Sequence, residues 1–458
     1  MIKNKEKFGL ESNVLIGALL FGLFFGAGNL IFPVRMGQLA GFNSIKATIG
    51  FLITGVGLPL LGVISSALSQ SESLYDMARP VSKTYSILFT CSLYLTIGPL
   101  FAIPRTATVA FEVGLNPFIA KEYLKLGLFV FSLVFFSLTL YYSLRPGRIL
   151  DWVGRYLTPI FVVLLSILLL ATFIKPMGQV GAYDPLRTYI DRPLFTGILD
   201  GYNTMDALAS LAFAIIIISN IESLGVKDPK NIAIETFKSG LVCALGMSII
   251  YGALAYMGAT SLGSVGRADN GGAIMSMVSE HYFGFVGKLL LAAIVIVACL
   301  KTAIGLITSC SQMFCQMFPR SVSYNRYAII FTCFSFVIAN FGLNNIIQIS
   351  IPVLLFLYPL AITLIILSLL APIINKESHI YRWTIYFTII AAMFDFFNAL
   401  PENMKENFII RKILDYAHSY LPGFDYGFGW IIPGLVGFIV GTIIWRISLP
   451  QNRREKID

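Results

Sequence analysis

Apolar stretches of about 20 residues, each long enough to cross ~30 Å of hydrocarbon as a helix, recur from near residue 10 to near residue 449. Such a chain cannot close into a water-soluble globule. With 57% hydrophobic residues, 12% charged residues and a mean hydropathy of +0.79, it has too little polar surface to face water. The pattern predicts an all-α integral membrane protein of about twelve spans, near residues 10–40, 45–70, 84–111, 123–143, 152–173, 196–221, 230–260, 284–312, 326–343, 346–372, 380–399 and 428–449. No soluble domain fits between them, so residues 1–458 read as a single transmembrane domain. The longest connection, an external one, is expected at about 400–427.

Lys3, Lys5 and Lys7 precede the first apolar run, as in a secretory signal, but no small-residue cleavage site follows, and the run leads into Gly26-Ala27-Gly28-Asn29. This is read as the first spanning helix. More Lys and Arg fall in the segments on the N-terminal side of the membrane than in those opposite, so both termini are expected in the cytoplasm, with the chain multi-pass in the cell membrane. The net charge of +9 therefore carries topology rather than affinity for nucleic acid. The groups Arg145, Arg148, Arg155 and Lys227, Lys230 read as ordinary orienting charge in cytoplasmic loops.

Several function classes lack their residues. Cys91, Cys243, Cys299, Cys310, Cys315 and Cys333 lie in or at the edges of apolar runs without metal-ligand spacing, and read as helix-packing residues. His281, His379 and His418 are all expected in loops or at helix ends, where they form no acid–base cluster. No phosphate-cradling GxxxxGK[ST] loop is present. Neither an enzyme nor an ATP-driven pump is expected, nor a cofactor or an obligatory protein partner. Composition leaves a channel open.

Two spans differ from the rest. Gly26-Ala27-Gly28-Asn29, with Pro33 beyond, interrupts the first, and Gly201-Tyr202-Asn203-Thr204-Met205-Asp206 interrupts the sixth. Glycine weakens a helix, and Asn, Thr and Asp compete for its backbone hydrogen bonds. Unwound backbone at membrane depth is tolerated only where protein or a cavity satisfies it, and a matched pair of interruptions points to a transporter site between repeats. A closed central site suits paired breaks better than a continuous pore does.

These residues carry a resemblance. LFFGAGNLIFPVRMGQLAG, IGPLFAIPRTATVAFEVG, GYNTMDALAS, ACLKTAIGL and IIQISIPVLLFLYP resemble the bacterial branched-chain amino acid carriers, the sodium-coupled leucine/isoleucine/valine uptake family, over nearly the whole chain. The resemblance implies a leucine-transporter-type fold of five plus five inverted helices. Residues 10–173 would form the first repeat and 196–372 the second, with 380–449 peripheral. It also implies uptake of leucine, isoleucine and valine by alternating access. Amides around Gly26, Ala27, Gly28 and Asn29 would take the substrate carboxylate at a helix N-terminus. Carbonyls around Tyr202, Asn203 and Thr204 would take its ammonium, and Ile97 and Phe101 would line the aliphatic pocket.

Ionisable residues at membrane depth are functional candidates. Asp206 would pair with the ammonium or a cation, or cap the second half-helix. Arg105 and Glu112, seven apart on one helix face, read as an outer gate or as residues reaching for the interface. In the fold implied by the resemblance, a sodium ion lies between carbonyls of the first span, here Gly22 and Phe25, and the eighth, where Ala298, Lys301 and Thr302 fall. Sodium is the expected coupling ion, with the proton as alternative. Lys301 departs from that pattern. It reads either as a built-in or titratable cation replacing sodium, or as a side chain turned away while Thr302 keeps the ion.

Overall fold

The computed structural model describes residues 9–71, 73–268 and 270–448, and no strand occurs among the described residues. The first expected span is two helices, α1 (Leu10–Phe24) and α2 (Ala27–Ala40). The second runs through α3 (Ser44–Leu52), a π-helical turn at Ile53–Gly57, and α4 (Leu58–Leu68). A short α5 (Leu74–Ala78) precedes the third, made of α6 (Lys83–Leu95) and α7 (Ala102–Val109), with π-helical stretches at Thr96–Leu100 and Ala110–Leu115. Next come α8 (Leu124–Ser143) and α9 (Thr158–Ile174), then α10 (Pro193–Tyr202) and α11 (Asp206–Ser223), which share the sixth. The chain continues through α12 (Pro229–Ser261), α13 (Gly271–Met317), α14 (Tyr324–Ala339) and α15 (Leu343–Leu369). After α16 (Ala371–Ile374) come α17 (Ser378–Asn398), α18 (Glu402–Lys405), α19 (Phe408–Tyr420) and α20 (Ile431–Ser448).

Among the described residues ten helices are long and apolar enough to cross a membrane, and α1 and α14 are shorter apolar helices. The difference from the twelve expected spans is one of segmentation. The break at Phe25 leaves α1 only 15 residues, and Ala27–Leu68 runs the rest of the first expected span into the second. The expected external segment at 400–427 is partly helical, since it contains α18 and α19. Arg155 falls in the π-helical stretch Leu150–Leu157 and Lys230 in the first turn of α12, so neither lies in a loop. Of the cysteines, Cys243, Cys299 and Cys310 are buried, whereas Cys333 is exposed and does not pack a core. Lys3, Lys5 and Lys7, and with them the termini whose side was expected to be cytoplasmic, lie outside the described residues.

Two compact units result, one taking in the residues up to Val63 and Ile97–Ile346, the other Ile64–Thr96 and the residues from Ile347 on. In the first, α2 packs along α12, α3 along α10, and α13 touches α2, α7, α9 and α14. The α2–α12 contact is made backbone to backbone. A Cβ on Gly37 would fall 2.0 Å from the Ala255 carbonyl oxygen, and one on Gly258 would fall 2.0 Å from that of Val34. Small residues permit this approach where lipid supplies no hydrophobic force between helices. In the second unit α20 lies along α17, and α19 seats Leu414 and Ala417 against Phe394 and Phe397.

Candidate functional site

Both interruptions expected from the sequence are breaks in the structure. α1 ends at Phe24, Phe25 leaves helical geometry (φ −72°, ψ 84°), and α2 restarts after Gly26. The Asn29 side chain holds this restart open. Its Oδ1 accepts the Gly26 N–H (3.2 Å), a donor that a continuous helix would give to the carbonyl of Gly22. In the sixth span α10 stops at Tyr202 and α11 begins at Asp206, across Met205 in the left-handed region (φ 66°). A non-glycine residue held there costs on the order of 1–3 kcal/mol, so its surroundings must fix it.

The two breaks are tied together. Asn29 Nδ2 donates to Asp206 Oδ2 at 2.5 Å, and the hydroxyl of Tyr251 on α12 donates to the same oxygen at 2.9 Å. Asn29 Nδ2 also bonds the Tyr251 oxygen, closing a triangle of buried side chains. Hydrogen bonds of this kind satisfy a carboxylate that burial would otherwise make costly. Asp206 is thus both the first residue of α11 and the acceptor that joins it to α2.

A small cavity of about 30 Å³ lies between the breaks. One end is polar, with Gly26, Gly28, Asn29, Arg105, Thr204 and Asp206; the other is apolar, with Phe24, Ile97, Ala209, Phe213 and Leu306. Ala27 and Thr302 also face it. The sequence reading missed Phe213, Ala209 and Leu306, which on apolar helices carry no signal distinguishing a pocket wall from lipid-facing or packed surface. Phe101 is buried but lies outside this lining, and Tyr202 and Asn203 do too. Their carbonyls are also engaged: Asn203 accepts from Arg105 Nη2 (3.2 Å) and Tyr202 from the Met205 N–H (3.0 Å). Arg105 is buried, whereas Glu112 is exposed and accepts from Asn116 (2.7 Å).

Lys301 lies fully buried on α13. Its ammonium donates to the carbonyls of Gly22 (2.9 Å) and Phe25 (2.5 Å), the groups the first break releases. The rings of Phe161, Phe21 and Phe25 surround it, with centroids 4.4, 5.7 and 5.7 Å from Nζ. Thr302 Oγ1 donates to the Leu23 carbonyl at 3.1 Å. Ala298 is buried on the same helix, one turn before them. No group of three or more Cys, His, Asp or Glu suited to a metal occurs among the described residues.

Residues 10–448 match the model of a family described as branched-chain amino acid transport protein. The chain belongs to that family. It is 46% identical to the branched-chain amino acid permease BrnQ of Lactobacillus delbrueckii subsp. lactis, over 97% of this chain and 99% of that one. To the branched-chain amino acid permease BraB of Bacillus subtilis it is 41% identical, over 99% and 100%. These members of the branched-chain amino acid transport protein family are named as permeases, not as enzymes. The fold is that of leucine-transporter-type carriers. Mhp1, a nucleobase-cation-symport-1 family transporter solved in a closed conformation with bromovinylhydantoin bound, superposes with a TM-score of 0.58 at 14% identity, covering 94% of this chain and 92% of that one. In this branched-chain amino acid transport family member, that fold puts its two helix breaks around one cavity.

Proposed function

We propose that the protein imports leucine, isoleucine and valine by alternating access through the cavity between the two breaks. The observation that carries this reading is the cavity's polarity, set beside family membership over residues 10–448. The first amides of α2 and the Arg105 guanidinium suit a carboxylate, Asp206 suits an ammonium, and Phe24, Ile97, Phe213 and Leu306 suit a branched aliphatic chain. At about 30 Å³ the cavity has room for about one water, so substrate enters only as the breaks part. On this reading residues 10–173 and 196–372 act as the two repeats, and α11 shifts against α2 as the site exchanges sides.

For coupling, the reading that the geometry favours is that Lys301 stands where the family resemblance places sodium. Its ammonium already uses the carbonyls of Gly22 and Phe25, and the neighbouring Thr302 hydroxyl is turned to Leu23. A second cation in the same cradle would meet a like charge within a few ångströms. Sodium symport remains the competing reading. In that case Lys301 withdraws from the carbonyls when the ion arrives.

The test is radiolabelled leucine uptake into proteoliposomes under an inward sodium gradient, an inward proton gradient, or neither, with unlabelled isoleucine and valine as competitors. Uptake blocked by both competitors and unmoved by sodium supports both parts of the proposal. Sodium-driven uptake keeps the substrate reading and removes the Lys301 one, and a lack of uptake in every arm removes the substrate reading.

A further inference from the structure

A third span is also interrupted at the central cavity, where the sequence predicts a continuous helix. Between α6 and α7 the chain runs through the π-helical stretch Thr96–Leu100, in which Gly98 leaves helical geometry (φ −95°, ψ −127°). Pro99 follows it. Having no N–H, Pro99 cannot donate to the Leu95 carbonyl as an α-helix would require.

This break decides which residue of the span faces the cavity. Ala102, Arg105 and Thr106 line it from α7, at the three- and four-residue spacing of one helix face. Carried back one turn in unbroken α geometry, that face would present Gly98, with Ile97 roughly 130° away from it. The structure has the reverse. Ile97, fully buried, lines the cavity, and Gly98 is turned to α13, where a Cβ on it would fall 2.8 Å from Cys310 Sγ. Leu306, one turn before Cys310 on α13, faces the cavity.

The exchange of Gly98 for Ile97 is one of size. Ile97 brings a sec-butyl group to the apolar end, where Gly98 would bring no side chain at all. That group is the side chain of isoleucine itself, an isomer of leucine's and one methylene larger than valine's. With Ile97 in place the cavity holds about 30 Å³, room for about one water and for no aliphatic side chain. Return of Thr96–Leu100 to α geometry withdraws Ile97, brings Gly98 to the wall and frees a volume equal to the substrate's own side chain. Pro99 permits this, since α2 holds Pro33 and α15 holds Pro352 and Pro359 within helices.

We propose that Ile97 is a tethered stand-in for the substrate side chain: it fills the aliphatic pocket while the site is empty, and leucine, isoleucine or valine displaces it as the third span re-registers onto Gly98. This rests on the transport reading above and deepens it. Phe24, Phe213 and Leu306 are fixed walls, whereas Ile97 gives up its place, so the pocket's capacity is the volume of the side chain that leaves it. A larger side chain, such as that of phenylalanine, is excluded.

The experiment is equilibrium binding of radiolabelled leucine, valine and phenylalanine to the purified full chain in lipid nanodiscs, for wild type, Ile97→Ala, Cys310→Ala, and Gly98→Ala combined with Cys310→Ala. Ile97→Ala removes most of the competing side chain, and is expected to bind leucine about tenfold more tightly than wild type while still refusing phenylalanine. Gly98→Ala puts a methyl group into the freed space, and Cys310→Ala clears the sulfur that this methyl would otherwise strike. Relative to Cys310→Ala alone, the double variant should lose about tenfold in affinity for leucine and about threefold or less for the shorter valine. Weaker leucine binding by Ile97→Ala, with phenylalanine gained, makes Ile97 a fixed wall and overturns the proposal, and unchanged leucine binding overturns it too. Equal losses of leucine and valine in the double variant do the same. The Ile97→Ala arm decides the matter where the double variant fails to fold. If wild type binds neither leucine nor valine, the transport reading itself is removed.

Discussion

The ammonium of Lys301 lies 2.5 Å from the carbonyl of Phe25, the residue at which the first helix stops being helical. With Gly22 as its second acceptor, the side chain joins α13 to the end of α1 through a charge rather than through packing alone. Removing that charge has two consequences: the carbonyls lose donors, and the cradle they form becomes open to another cation.

Lys301→Thr is therefore expected to lower uptake in sodium-free buffer by about tenfold or more, since hydrogen bonds to a charged group are worth ~1.5–3 kcal/mol. It should also create a several-fold stimulation by sodium that the parent lacks. Uptake against sodium concentration in proteoliposomes measures both effects. Unchanged cation dependence in the variant would refute the built-in cation.

Asp206 has two buried donors, Asn29 and Tyr251. Tyr251→Phe removes one neutral donor and should slow uptake about fivefold, for ~1 kcal/mol, while leaving expression normal. Asp206→Asn removes the charged acceptor and should cost about ten- to a hundredfold, for ~1.5–3 kcal/mol. If the two variants gave equal losses, Asp206 would be serving only as a neutral acceptor.

The ring of Phe161 is the nearest to Lys301 Nζ, at 4.4 Å. Phe161→Leu keeps an apolar filling but withdraws the π face, and should lower unfolding stability in detergent by ~0.5–2 kcal/mol. Phe21→Leu, whose ring is 5.7 Å away, should cost less. Thermal denaturation followed by fluorescence-detected size exclusion ranks the two, and the reverse order would contradict the ring assignment.

Gly37→Val would put a Cβ 2.0 Å from the Ala255 carbonyl oxygen, which α2 and α12 can relieve only by separating. A loss of ~1–3 kcal/mol or more is expected, as for other overpacked contacts. Gly147→Ala, with no atom within 4 Å of its new Cβ, serves as the control and should unfold with the parent.

The parts of this molecule legible in the sequence are those that violate a rule for membrane helices. Glycine and polar residues inside apolar runs marked both breaks, and burial of a charge marked Asp206 and Lys301. Apolar positions gave no such contrast. Phe213 and Leu306 face the cavity and Phe101 does not, yet all three are large apolar residues within apolar runs of the sequence. Tyr251 was missed because a tyrosine in a long apolar helix reads as packing until its hydroxyl partner is known. Nor does the 3.6-residue period distinguish an α turn from the π-helical stretches at Ile53–Gly57, Thr96–Leu100, Ala110–Leu115 and Leu150–Leu157, which shift the register of everything after them. The direction of the Lys301 side chain depends on a break seven spans earlier in the chain, so no local pattern could give it.

The seam of Gly37 and Gly258 decides which corner of the polar triangle can let go. Asn29 rides on α2 and Tyr251 on α12, and two backbone contacts one helical turn apart fasten these helices against sliding. Any motion that keeps the seam intact carries Asn29 and Tyr251 as a single jaw. Asp206, on α11, is the opposing jaw, so the clasp opens at one carboxylate oxygen.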